Sequence, residues 1–163
     1  MKKSINRFYI ASFVLSFLML TGCKSKEISV AEQAKINRLT EKIDAQRYEF
    51  TARNANPMNF KTINLDPGYT LKITPDTITA YLPYFGRAYT APINPSEGGI
   101  KFTSTNFDYE KKAKKDGWEI KIDTKDTKGN VNLFMNIGNT GYATINVRDN
   151  DRQAISFYGT IDE

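Results

Sequence analysis

The chain has 163 residues, with 23 Lys and Arg, 18 Asp and Glu, one cysteine and no histidine. That length suits one modest domain rather than two. With no histidine the usual general base near neutral pH, the Ser-His-Asp arrangement and nearly all zinc sites are excluded, and a lone cysteine leaves no partner for a disulfide.

The first segment reads as a targeting sequence. Lys2, Lys3 and Arg7 form a positive n-region, and Phe8 to Leu20 is an apolar run too short for a comfortable membrane span. It ends in Leu20-Thr21-Gly22-Cys23, which is similar to a bacterial lipoprotein signal. That likeness implies a signal peptide over residues 1–22, cleavage before Cys23 and lipid on Cys23, with residues 23–28 as a tether. The protein is then expected to be an outer-membrane lipoprotein, periplasmic or surface-facing, with the membrane as its partner through Cys23. Removing the signal takes away three cations, so the net charge of +5 becomes 5 − 3 = +2. A nearly balanced domain argues against nucleic acid as a partner.

Residues 29–47 read as a helix. Ser29 with Glu32 three residues later is a capping box, and Ile36, Leu39 and Ile43 make one narrow apolar stripe expected to pack on the domain. From Tyr48 to the C-terminus the period changes from helical to alternating. Tyr48, Phe50 and Ala52 share a face; Pro67-Gly68 makes a type II turn and Pro75-Asp76 a second turn. Trp118, Ile120 and Ile122 share a face with Glu119, Lys121 and Asp123 opposite. Val131, Leu133, Met135 and Ile137 form the next inward row, then Ala143, Ile145 and Val147, then Ile155 and Phe157. Half-buried antiparallel strands give this pattern, and short turns between them make residues 107–161 a five-stranded meander. With four or five earlier strands the sheet must curl into a barrel or split into two layers. The expected fold is therefore all-β and antiparallel, a barrel or two-layer sandwich over residues 48–163, preceded by one helix.

Several motifs carry a candidate chemistry. Asp149, Asn150 and Asp151 have calcium-binding types, but Arg148 and Arg152 flank them and the glycine and distal glutamate of a calcium loop are missing, so a hairpin turn is expected and no metal. Lys111, Lys112, Lys114 and Lys115 read as a solvated hairpin end, and Asp108 and Glu110 as part of that solvated face. Gly98-Gly99 after Ser96-Glu97 reads as a flexible turn and not a phosphate loop. The stretch "ITAYLPYFGRAYTAP", Ile78 to Pro92, is the candidate site. Pro83 cannot donate to a ladder, so the strand must leave the sheet there, bringing Tyr84, Phe85 and Tyr89 close to Arg87. One reading is a sheet corner with the arginine stacked or paired. The other is a pocket rim in which aromatic faces hold a sugar or apolar ligand and Arg87 an anion.

"YLPYFGRAY", the following "AP", "EGGIKF" and the late "RQAISFYG" resemble a family of Bacteroidetes lipoproteins, domain-of-unknown-function family 4251, over about residues 31–162. The resemblance implies an exported, lipid-anchored, all-β domain and no activity. The function expected is a non-catalytic binding or accessory module of the cell envelope, needing no cofactor and serving a protein or glycan partner. The alternative is a lipocalin-like carrier whose interior pocket is lined by Trp118, Leu133 and Ile145. An enzyme is the weakest of the three readings.

Overall fold

The computed structural model describes residues 29–89 and 98–161. The signal segment, Cys23, the tether and the Ser96-Glu97 pair lie outside the described residues. Helix α1 spans Val30–Asp44 and is followed by ten strands: β1 Tyr48–Pro57, β2 Ile63–Asn64, β3 Thr70–Ile73, β4 Ile78–Leu82, β5 Ile100–Ser104, β6 Phe107–Lys114, β7 Gly117–Thr124, β8 Asn132–Gly138, β9 Tyr142–Asp149 and β10 Arg152–Ile161. The helix is three residues shorter at its C-terminal end than the sequence suggested. Arg47 N donates to Lys42 O at 2.9 Å and Gln46 N to Ile43 O at 3.2 Å, while Gln46 takes φ of 51°. That is a Schellman stop, with glutamine where glycine is usual, so no sequence signal marked it.

All strand pairs are antiparallel, in the order β5-β4-β3-β1-β10-β9-β8-β7-β6, with β2 on β1 beside β3. The sheet is a nearly closed barrel. β6 to β10 are the expected meander, each strand beside the next in sequence. β5 and β6 are two halves of one run of chain, broken only by Thr105 and Asn106. The first half pairs with β4 and the second with β7, so both edges of the sheet meet in one kinked stretch. The Asp126 carboxylate fastens the kink. It accepts from Ser104 Oγ at 2.5 Å, Thr105 N at 2.9 Å and Asn106 N at 3.1 Å. The Ser104 hydroxyl foremost, then the Thr105 amide, holds its pKa below the ordinary aspartate value.

The alternation predicted for the meander is the one observed. Trp118, Ile120, Ile122, Leu133, Met135, Ile137, Ala143, Ile145, Val147, Ile155 and Phe157 are all buried. They form one apolar cluster with Phe50, Leu71, Ile73, Ile78 and Leu82 from the other side of the barrel. Leu39 and Ile43 of α1 join the same cluster, so the helix stripe packs on the barrel, as expected. Tyr48 Oη and Tyr109 Oη meet at 3.1 Å across β1 and β6. Burial pushes both phenols above their ordinary pKa. Among the described residues, every buried core residue lies between Leu39 and Ile161.

β1 holds one irregularity with consequences for the surface. Ala52 is opposite Gly159 and Asn54 opposite Tyr158, which leaves Arg53 as the extra residue of a β-bulge. Inward residues are Tyr48, Phe50 and Ala52 before the bulge and Ala55 and Pro57 after it. Arg53 itself is turned outward and exposed.

Candidate functional site

β4 ends at Leu82 and Pro83 takes the chain out of the sheet. Tyr84 then folds back over the β9–β10 hairpin. Its Oη lies 2.8 Å from the Arg87 carbonyl and 3.1 Å from that of Gln153. Burial raises the Tyr84 pKa. A Cβ at Gly86 would sit 2.7 Å from that Oη and would have to shift the phenol from its two carbonyls. Tyr89 N donates to Asp151 O at 2.8 Å and Gln153 N to Arg87 O at 3.1 Å, sewing the corner to the hairpin by backbone. Tyr84 and Phe85 are half-buried at the margin of the core. Arg87 is exposed and Tyr89 is 70% exposed.

The guanidinium that organises this corner is Arg152. It sits 5.0 Å over the Tyr84 ring, pairs through Nε with Asp149 Oδ2 at 3.0 Å and donates from Nη1 to Gly99 O at 3.0 Å. The sequence presented Arg152 only as a flank of the Asp149–Asp151 turn, because Gly99 is 53 residues away along the chain and Tyr84 farther still. In that turn Asp149 Oδ1 accepts from Asp151 N at 2.8 Å, so both Asp149 oxygens are engaged by the protein itself. No group of residues able to hold a metal ion occurs among the described residues. The lysine cluster is divided: Lys111 pairs with Asp44 at the end of α1, and Lys114 with Glu119 at 2.6 Å.

A second concavity was not foreseen. It lies between α1 and the barrel end that carries the β8–β9 turn, and holds about 970 Å³. That is within the roughly 300–1,000 Å³ of small-molecule sites. Ile36, Ala45 and Tyr142 supply its apolar surface, with the buried Leu39 and Ile161 closing it from behind. Tyr142 is held flat by stacking on Tyr158, with ring centroids 5.8 Å apart and planes 6° off parallel. The turn below is fixed by Gly141 N to Gly138 O at 2.9 Å and by Ile161 N to Gly141 O at 2.8 Å. Around the mouth stand Lys35, Arg38, Lys42, Arg47 and Arg53 against Glu32 and Glu41. Lys35, Arg38 and Lys42 share one helical face beside the apolar stripe, a pattern visible in sequence. Arg47 and Arg53 arrive from outside the helix, and only the fold brings them there.

The family profile described as "Domain of unknown function (DUF4251)" matches residues 31–161, nearly all of the described chain. The chain belongs to the DUF4251 family. The matched span includes α1, so the helix and both walls of the cleft are part of the DUF4251 domain. Among solved structures, a DUF4251 family protein from Bacteroides eggerthii is similar to it, with a TM-score of 0.59 at 13% identity, covering 80% of this chain and 89% of that one. At that identity the likeness shows the shared fold. The search of curated proteins returned no match. No helix among the described residues is long and apolar enough to cross a membrane.

Proposed function

We propose that this DUF4251 protein is a non-catalytic, lipid-anchored binding module of the cell envelope, and that the cleft between α1 and the barrel is its binding site. The observation that carries the reading is a ligand-sized concavity outside a barrel whose inside is filled. Leu133 and Ile145 are 0% exposed and Trp118 is 8% exposed. Side chains bordering an open cavity would show surface to a water-sized sphere, and these show almost none. That favours an external site over a carrier's interior pocket. The anchor rests on Leu20-Thr21-Gly22-Cys23, and the lack of histidine and of any cysteine besides Cys23 supports binding over catalysis.

The test uses the full-length chain recovered from its native envelope and analysed by native mass spectrometry. Thr140→Trp, an exposed position lining the cleft, should fill the mouth and remove the co-purifying species without lowering the melting temperature. Leu133→Ala should cost about 2–5 kcal/mol of stability and keep the species. The opposite pattern would refute the external site and restore the carrier. Cys23→Ala should move the protein out of the membrane fraction or leave it unprocessed. Normal processing of that variant, with lipid labelling retained, would contradict the anchor.

A further inference from the structure

We propose that the cleft takes a phosphate-bearing amphiphile, specifically the headgroup and upper acyl chain of an anionic membrane lipid. This rests on the cleft being the binding site and goes on to name its ligand class. Three arginines decide the sign of the charge. Arg38, Arg47 and Arg53 all border the cleft and are exposed, and none forms an ion pair among the described residues. A guanidinium presents a planar fork of donors that matches phosphate oxygens in pairs, and it stays charged at any physiological pH.

Two of the three are delivered by departures from regular structure. Arg47 leaves α1 through the left-handed turn at Gln46, and Arg53 is the extra residue of the β1 bulge. Together with Arg38 of the helix they border one mouth. Beside that rim lie half-buried Ile36 and the ring of Tyr142, 49% exposed, apolar surface suited to hydrocarbon and not to a small hydrated anion.

The length of chain outside the described structure points to the membrane as the source. Val30 follows Cys23 by seven residues. Fully extended, they span at most about 25 Å. With lipid on Cys23, the first turn of α1 is tethered within that distance of the bilayer surface. A cationic rim there meets the anionic surface, where basic residues are drawn to lipid phosphates.

The test uses a chain starting at Lys24, which keeps every buried core residue among the described residues. It is titrated by calorimetry with dihexanoyl phosphatidylglycerol, with dihexanoyl phosphatidylcholine and with inorganic phosphate, each lipid kept monomeric. The expected result is saturable binding of phosphatidylglycerol at least tenfold tighter than phosphatidylcholine, weakening with salt. It should be lost by tenfold or more in the Arg38→Ala, Arg47→Ala, Arg53→Ala triple variant at an unchanged melting temperature. If the two lipids bind equally and Thr140→Trp weakens both, the cleft holds amphiphiles without regard to charge, and the anionic assignment is overturned while the binding site stands. If inorganic phosphate binds as tightly as phosphatidylglycerol, the ligand is a free anion and the lipid assignment is overturned. If neither the triple variant nor Thr140→Trp changes any titration, both this assignment and the cleft as binding site are overturned. A drop in melting temperature for the triple variant shifts the decision to single variants. At least one of those must keep the wild-type melting temperature and lose phosphatidylglycerol affinity, or the assignment is overturned.

Discussion

Gly159 is a close-packed point between β1 and β10. A Cβ built there would lie 2.0 Å from the Thr51 carbonyl oxygen and 2.8 and 2.9 Å from two ring carbons of Phe50. The oxygen belongs to the strand backbone, and Phe50 is 0% exposed, so neither neighbour can move aside alone. Gly159→Ala must therefore push β1 and β10 apart where they are joined by the register Ala52 to Gly159 and Thr51 to Thr160. Overpacking a filled core costs about 1–3 kcal/mol, occasionally more. Against this, the unfolded-state gain from Gly→Ala is about 0.4–1 kcal/mol. The steric cost wins, and the net loss should be roughly 1–2 kcal/mol or more. Gly138→Ala is the matched control. Its nearest neighbour is the Tyr142 carbonyl oxygen at 3.6 Å, ordinary contact, so it should be neutral or gain up to about 1 kcal/mol. Urea denaturation of the two variants beside wild type, comparing midpoints at equal m-values, reads the difference. Equal midpoints for the two variants would refute the reasoning. So would a Gly159→Ala variant as stable as wild type, because the β1–β10 contact would then not be close-packed.

Trp118→Ala should cost about 3–5 kcal/mol in the same assay. Lys121→Ala, outward on the same strand, should leave the midpoint nearly unchanged, and equal losses would mean the β7 register is wrong. Arg152→Ala should destabilise by about 1–3 kcal/mol through loss of the Gly99 bond, the Asp149 pair and the Tyr84 stack. Arg87→Lys should melt with wild type, because only its backbone is engaged at the corner, and a clear drop would show that its guanidinium is structural. Asp126→Asn tests the barrel seam through pH. The folded-state pKa of Asp126 is lowered, so its contribution is complete above the ordinary aspartate value of about 3.9 and fades as pH falls through the folded value. The stability gap between wild type and variant should be widest near neutrality and close on acidification. A gap that stays constant into strong acid would contradict the role given to the carboxylate.

Much of the fold is local enough to be written in sequence. Strict alternation in "WEIKID", "VNLFMNI" and "YATINV" determined which residues of β7, β8 and β9 face inward, since a one-residue slip would put Ile120, Leu133 and Ile145 into water. Short polar turns between those runs determined the meander, and Ile36, Leu39 and Ile43 determined which face of α1 would be covered. Pro83 marked the end of β4, because it lacks the N–H that the ladder requires. The tertiary structure alone decided closure. Nothing in "STN" announces that Ser104, Thr105 and Asn106 will turn about Asp126, 20 or so residues later, and so join the two edges of the sheet. The same holds for the candidate sites. Arg87 stands out within its motif, but the guanidinium that meets Tyr84 is Arg152, at the start of β10. Arg47 and Arg53 look like ordinary surface cations until the packing of α1 on the barrel brings both to one cleft. Periodicity reports which side of an element is apolar. Which polar side chains converge depends on register shifts and turns, whose energies are set by partners far away in the chain.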